Sequence, residues 1–209
     1  MTYPPAPWSL QGFGLVSLNL IDSAQVRSLI PNELSVIDVW PGKTLGGVYL
    51  AFYGSGSVLE YNELIVFALL VRYSNQFGSW ITHIYVDHPD SVAGGREIWG
   101  LPKELAEFTW EQGKQPRVVV RQSDRILCAL NYNQPLLLWQ QQLSGNTFST
   151  LHSHLLRFQG KAKFQVGITS GSLEVQPESS FHQLNLSQPL LTVYLKDLNL
   201  LADRPEIMG

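Results

Sequence analysis

The feature that most constrains this chain is a succession of short segments, some alternating apolar and polar residues and others rich in β-branched and aromatic residues, with turn residues between them. Phe13 to Ile21, Leu34 to Val39, Gly47 to Tyr53 and Glu63 to Arg72 are rich in β-branched and aromatic residues, the composition that suits a pleated, half-buried surface. Trp80 to Val86 alternates again, with Ile81, His83 and Tyr85 expected on one face and Thr82, Ile84 and Val86 on the other. Glu107 to Trp110, Arg117 to Gln122, Arg125 to Tyr132, Lys161 to Ile168, Ser172 to Val175 and Leu190 to Leu198 continue the pattern. Gly54-Ser55-Gly56-Ser57 and Ser123-Asp124 are turn sequences. Helical signals are few. Asp22 or Ser23 can cap a short helix that runs to Leu29 and stops at Pro31, and Pro89 to Trp99 predicts a second. Leu136 to Leu143 fits helix or strand equally. Residues 1–10, rich in proline, predict an irregular lead-in. The expected fold class is mainly β with a few short helices: a curved or closed antiparallel sheet around an interior.

At 209 residues the chain can bury one sizeable core, so residues 1–209 are expected to form a single domain. Charged residues make up 15% and hydrophobic residues 44%, which excludes a disordered chain. A net charge of -3 without a basic cluster argues against a nucleic-acid partner. The longest apolar run, Leu64 to Val71, is far short of the roughly 20 residues of a bilayer span. The N-terminus has neither a basic region nor an apolar signal core. The expectation is a soluble, cytoplasmic protein without a membrane partner. Cys128, the single cysteine, lies in the apolar run Ile126 to Leu130 and is expected to be a small core residue. His152 and His154 would share a strand face, but no carboxylate or cysteine completes a metal set, and His83 and His88 stand alone. No nucleophile elbow or phosphate loop occurs, so neither a metal nor a nucleotide cofactor is expected.

The segment that draws attention to chemistry is Gly94-Gly95-Arg96-Glu97-Ile98-Trp99-Gly100-Leu101-Pro102-Lys103-Glu104-Leu105-Ala106. Of six lysines, Lys103 alone sits in an apolar frame, made by Trp99, Leu101, Pro102, Leu105 and Ala106. Loss of hydration disfavours an ammonium, and a neutral lysine amine can attack a carbonyl to form a Schiff base. The bland alternative is a surface lysine after a proline turn, paired with Glu104 or Glu107.

This segment resembles the active-site stretch of the acetoacetate decarboxylase family, in which Gly-Arg-Glu is followed at short distance by Pro-Lys-Lys. Gly95, Arg96 and Glu97 match the first block, and Pro102 and Lys103 the second. The resemblance is clearest over residues 60–110. It implies a cone-like β-barrel, a homo-oligomer, and Lys103 as the Schiff-base lysine, directed into a central cavity. It also places an active-site glutamate at Glu60, with Glu63 the close competitor; either carboxylate could move protons. Arg96 is the best candidate to clamp a substrate carboxylate, although it could equally hold the lysine loop, and Trp99 and Leu101 would line the binding space.

The sequence departs from the family's pattern in two places. Glu104 stands where the family has its second lysine. The stretch Gln11 to Gly14 holds no cation where the family places an arginine facing the substrate. Activity on acetoacetate itself is therefore expected to be weak, with a larger or less charged carbonyl compound preferred. The function this implies is a lyase, a decarboxylase of a β-keto acid or related carbonyl compound; aldolase or dehydratase chemistry through the same enamine stays open. The rival is a barrel that binds a small apolar ligand without chemistry, or a relative that keeps only the fold. A buried Lys103 amine with no carboxylate in contact would favour the enzyme. Self-association is expected through Trp8, Phe13, Trp40 and Trp80.

Overall fold

The computed structural model describes residues 3–208. Met1 and Thr2 of the lead-in, and Gly209, lie outside the described residues. The strands are β1 (Trp8–Asp22), β2 (Ser35–Val36), β3 (Lys43–Tyr53), β4 (Tyr61–Tyr73), β5 (Gln76–Val86), β6 (Lys103–Leu105), β7 (Glu107–Glu111), β8 (Arg117–Gln122), β9 (Arg125–Tyr132), β10 (Trp139–Leu151), β11 (His154–Thr169), β12 (Gly171–Val175), β13 (Leu191–Ala202) and β14 (Glu206–Ile207). Two short α-helices, α1 (Ser23–Val26) and α2 (Pro89–Trp99), accompany them. Among the described residues no helix is long and apolar enough to cross a membrane.

Seven strands in the order β4-β3-β1-β13-β11-β10-β5 form a near-ring, because β5 also pairs back onto β4. The ring's ladders are antiparallel except at one thin seam. There β10 and β5 meet in parallel over Thr147↔Ser79 and Phe148↔Trp80. The short β6 runs parallel to β5, with Ile84 opposite Lys103. A second, antiparallel sheet has the order β12-β9-β8-β7.

Alternation gives each wall strand two useful faces. On β4, Tyr61, Glu63 and Ile65 face the interior of the ring. Leu64, Val66 and Val71 face outward, into a buried cluster shared with Val118, Val120, Cys128 and Leu130 of the second sheet. On β3, Ala51 and Tyr53 belong to the interior cluster, while Val48 and Leu50 join the cluster between the sheets. One strand breaks the simple alternation. The β4–β5 ladder passes from Val66↔His83 to Phe67↔Ile81, leaving Thr82 as an extra residue whose hydroxyl donates to the Val66 carbonyl at 3.1 Å. This bulge turns both Ile81 and Ile84 toward the interior, so Ile81, His83 and Tyr85 do not share one face as expected.

Helix ends follow their local chemistry. Asp22 accepts from the N–H groups of Ala24 and Gln25 and caps α1, and a 3-10 turn carries the chain on to Leu29. The His88 imidazole caps α2 by accepting from the Asp90 N–H at 3.1 Å, and Pro89 occupies the first turn. Gly100 closes α2 with φ of 63°, donating to the Arg96 carbonyl.

Several expectations need correction. The lead-in is irregular only up to Pro7; Trp8 to Leu10 already belong to β1, with Trp8 and Leu10 buried in the interior cluster. Trp8 is therefore no anchor for self-association. Leu34 to Val39 shrinks to the two residues of β2. Leu136 to Leu143 is strand from Trp139 onward, preceded by Leu136 and Leu137, which are 100% and 79% exposed. His152 and Ser153 make the turn between β10 and β11 with φ of 49° and 66°, so His152 and His154 do not share a strand face.

Candidate active site

Lys103 opens β6 directly after the Leu101-Pro102 bend, and its side chain enters the ring, where it is 3% exposed. Helix α2 lies hard against it. A Cβ on Gly95 would stand 2.4 Å from Lys103 Cδ, and a Cβ on Gly94 would stand 2.6 Å from the Trp8 ring. The paired glycines, which each cost a helix about 1 kcal/mol against alanine, are thus the places where α2 closes on the lysine and on Trp8. The backbone is fixed as well. Arg96 Nε donates to the Lys103 carbonyl at 2.7 Å, and the Leu101 N–H donates to the Gly95 carbonyl at 3.0 Å.

The ammonium has defined partners. Lys103 Nζ donates to Glu63 Oε1 at 2.8 Å and to Ser91 Oγ at 3.0 Å. It also lies 5.0 Å from the Tyr61 ring centroid and 5.7 Å from that of Trp8, the range in which an aromatic face attracts a cation. Glu63 is 4% exposed, and Ser91, in the first turn of α2, is fully buried. The other carboxylate oxygen, Glu63 Oε2, accepts from Tyr53 OH at 3.1 Å, and Tyr53 OH lies 2.9 Å from Tyr49 OH. The register explains this grouping: Ala51 of β3 faces Glu63 of β4, so Tyr49 and Tyr53 flank the carboxylate on the same side of the sheet. Burial, first of all, raises the phenol pKa of Tyr49, Tyr53 and Tyr61.

This cluster borders a cavity of about 400 Å³ inside the ring. Glu63 and Lys103 are the charged residues in its lining; the rest is mainly aliphatic and aromatic, including Leu10, Ile81, Phe158 and Leu198. Trp99 and Leu101 line it too, and Trp99 Nε1 is tied to the Asp203 carbonyl at 2.9 Å.

Of the residues singled out in the sequence, the structure brings together Lys103, Glu63, Trp99 and Leu101. It does not bring Glu60 or Arg96 to the cavity. Glu60 is exposed just before β4, and the Arg96 guanidinium supports the lysine loop from outside. Glu104 is exposed and accepts from Gln122 Nε2 at 2.8 Å, facing away from the amine. Arg27, the first cation of the chain, bonds the carbonyls of Ile30 and Pro31 and supplies nothing to the cavity. The expectation of an amine without a carboxylate contact is not met: the contact exists, and it comes from Glu63. Cys128 is buried, and its burial pushes the thiol up to about 12. Among the described residues no group of His, Cys, Asp or Glu could hold a metal ion.

Tyr49, Tyr53, Tyr61 and Ser91 went unnoticed in the sequence, and Trp8 was expected at a self-association edge instead. One signal existed: Tyr49 and Tyr53 are four apart in a predicted strand, hence on one face. Their meeting with Glu63 depends on the β3–β4 register, which the sequence does not state.

Both the sequence and the fold match known proteins. A model of the family described as acetoacetate decarboxylase (ADC) matches residues 1–168. The chain belongs to the acetoacetate decarboxylase family. Acetoacetate decarboxylase from Legionella pneumophila superposes with a TM-score of 0.83 over 100% of this chain and 90% of that one, at 15% identity. The enduracididine biosynthesis enzyme MppR, solved with pyruvate, superposes with a TM-score of 0.76 over 100% and 92%, at 13% identity. At such identities the likeness is one of fold. Among curated relatives, Protein NEOXANTHIN-DEFICIENT 1 of Solanum lycopersicum is 32% identical over 107 residues, covering 51% of this chain and 36% of that protein. Acetoacetate decarboxylase of Burkholderia ambifaria is 35% identical over 114 residues, covering 54% and 40%. The matched segments thus span well under half the length of these relatives.

Proposed function

We propose that this acetoacetate decarboxylase family member forms a Schiff base between Lys103 and an apolar carbonyl compound, and cleaves or forms a bond alpha to the imine carbon. The observation that carries this reading is a lysine amine 3% exposed at the wall of an apolar cavity; Glu63, 2.8 Å away, departs from the uncontacted amine expected from the sequence and is read here as its proton acceptor. Two opposite charges are costly to keep in such surroundings. Passing one proton from the ammonium to the carboxylate leaves a neutral amine and a carboxylic acid. The amine adds to the carbonyl carbon, and the acid returns its proton to the departing hydroxyl, so that water leaves and a protonated imine remains. The imine then accepts the electron pair released when an alpha bond breaks. Glu63 takes the proton-transfer role in preference to Glu60, because Glu63 touches the amine. Ser91 and the Tyr61 and Trp8 rings hold Nζ in position.

The lining argues for a substrate with little charge. A keto-acid carboxylate in the cavity would meet the Glu63 carboxylate and no cation besides Lys103. Acetoacetate is then a poor substrate, and a bulkier ketone or aldehyde a better one. Decarboxylation, aldol cleavage and dehydration all pass through the same enamine. We take residues 1–209 as one domain, with the near-ring as the family's barrel. Homo-oligomers would form through exposed apolar residues such as Leu136, Leu137 and Ile168.

A second reading, a binding protein for an apolar ligand, draws on the contacting Glu63 and on the apolar lining. Borohydride reduction in the presence of cyclohexanone, heptanal or acetoacetate, followed by peptide mass spectrometry, separates the two. The enzyme reading expects a reduced adduct on Lys103, stronger with the apolar compounds. Absence of any adduct on Lys103, with tight binding of apolar compounds, would favour the binding protein.

A further inference from the structure

The hydrogen-bond chain beyond Glu63 has a direction. Tyr53 commits its single hydroxyl hydrogen to Glu63 Oε2. Its oxygen must then accept, so the 2.9 Å contact with Tyr49 runs from Tyr49 to Tyr53. Tyr49 lines the cavity and Tyr53 does not. The lone pairs of Tyr49 are therefore the free end of a path that begins in the cavity and ends on the carboxylate oxygen turned away from Lys103. Tyr53 is buried and Tyr49 half-buried at the cavity wall, and burial makes the ionisation of both harder, so neither accumulates as phenolate and the hydrogens move together.

We propose that Tyr49 and Tyr53 form a two-phenol relay through which Glu63 removes and returns the alpha proton of a carbonyl compound held as an imine on Lys103. This rests on the Schiff-base reading above. In the forward step the alpha carbon of the protonated imine gives its proton to the Tyr49 oxygen. Tyr49 passes its own hydrogen to Tyr53, and Tyr53 passes its hydrogen to Glu63 Oε2. The C–H electron pair becomes the carbon–carbon double bond of the enamine, the iminium charge is neutralised, and the carboxylate becomes an acid. The reverse sequence protonates an enamine carbon and restores the resting chain. Glu63 thereby serves the amine with one oxygen and the alpha carbon with the other, and the position of Tyr49 decides which face of the enamine is protonated.

The test uses cyclohexanone as probe in deuterated water. Imine formation is read by borohydride trapping on Lys103, and alpha-proton exchange by NMR. The expected result is that Tyr53→Phe and Tyr49→Phe each lower the ratio of exchange rate to imine trapping at least tenfold. Both keep the ring, and thermal melts verify folding. A loss of packing alone would lower exchange and trapping together and leave the ratio where it was. A ratio unchanged in both variants would overturn the relay while leaving the Lys103 chemistry intact. No adduct on Lys103 of the unaltered protein with any apolar ketone would overturn the Schiff-base reading, and with it this role for the tyrosines.

Discussion

Lys103 and Cys128 are both buried groups with nucleophilic atoms, one inside the near-ring and one between the two sheets, and their surroundings could hardly differ more. Cys128 is packed among Val118, Val120 and Leu130 in the cluster between the sheets, and burial alone acts on it. Lys103 is as deeply buried, yet its amine has an anion, a hydroxyl and two aromatic faces around it, and an apolar cavity in front. The same alternating strands build both regions. The outward faces of β3 and β4 interlock with the second sheet and fill the space, whereas their inward faces leave it open around a small polar cluster. Burial by itself silences the Cys128 thiol; at Lys103 burial comes with a proton acceptor and an open cavity, the arrangement on which the proposed chemistry rests.

The largest effect should come from removing the amine. Lys103→Ala is expected to abolish borohydride trapping and also to leave Glu63 buried without its cation, which costs about 3–5 kcal/mol in typical buried pairs. Lys103→Arg should keep more of that stability and still fail to trap, because guanidinium stays protonated and is no nucleophile. Urea denaturation and peptide mass spectrometry read the two effects separately. Trapping that survives Lys103→Ala would end the contrast with Cys128.

Next in size is Gly95→Ala. On an open helix face this change stabilises by about 1 kcal/mol. Here the new methyl would sit 2.4 Å from Lys103 Cδ, so the lysine must move and its bonds to Glu63 and Ser91 must lengthen. Misplacement by about 1 Å can cost a reaction roughly a hundredfold. Trapping should therefore slow by about ten- to a hundredfold in a protein that remains folded by circular dichroism. Leu173→Ala tests the other region: Leu173 is 2% exposed in the cluster between the sheets, and the loss should be about 2–5 kcal/mol. Trapping per folded molecule should hold. A matching loss of trapping would mean that the two regions are not separable.

Cys128 makes a difference in stability that depends on pH. Burial pushes its thiol up from 9.0 to about 12. The neutral thiol is favoured by folding, so this contribution is fully present below about pH 9 and is lost as the pH rises toward 12, at roughly 1.4 kcal/mol per pH unit. The stability gap between the unaltered protein and Cys128→Ala should accordingly shrink across that window and stay constant below it. A gap that is flat from pH 7 to 11 would contradict burial as the cause. Thiol reagents at pH 8 should react only as the chain unfolds.

Strand positions were largely legible, since Arg117 to Gln122 and Arg125 to Tyr132 coincide with β8 and β9, and Pro89 to Trp99 coincides with α2. Apolar and β-branched residues fill β8 and β9, and Ser123-Asp124 marks the turn between them; elsewhere alternation was the guide. It failed where prolines masked it, as at Trp8 and Leu10, and where a bulge at Thr82 reversed it. The separate four-stranded sheet was not legible, because it is made by pairings between distant segments such as β12 with β9. The candidate site divides the same way. Lys103 was visible as the one lysine in an apolar frame. The choice between Glu60 and Glu63 required knowing which residues of β4 face inward, and the two tyrosines required the register of β3.

The smallest effect expected is the most direct contrast between an inner and an outer carboxylate. Glu104→Lys restores the residue type that the family pattern has beside the Schiff-base lysine. Were the two side chains close, a second cation would disfavour a charged amine at Lys103, and removing the native carboxylate would act in the same direction. But neighbouring residues of an extended strand point to opposite sides, and Glu104 bonds Gln122 of the second sheet at 2.8 Å, in the solvent. Charges separated this way interact through a high dielectric and are further screened by salt. Glu104→Lys should change stability by less than about 0.5 kcal/mol, as surface substitutions usually do, and should change the trapping rate less than about threefold, whereas Glu63→Gln, which removes the contacting carboxylate, should lower it by at least a hundredfold. Equal effects of the two substitutions would show that position along the chain, and not the side of the strand, governs the amine.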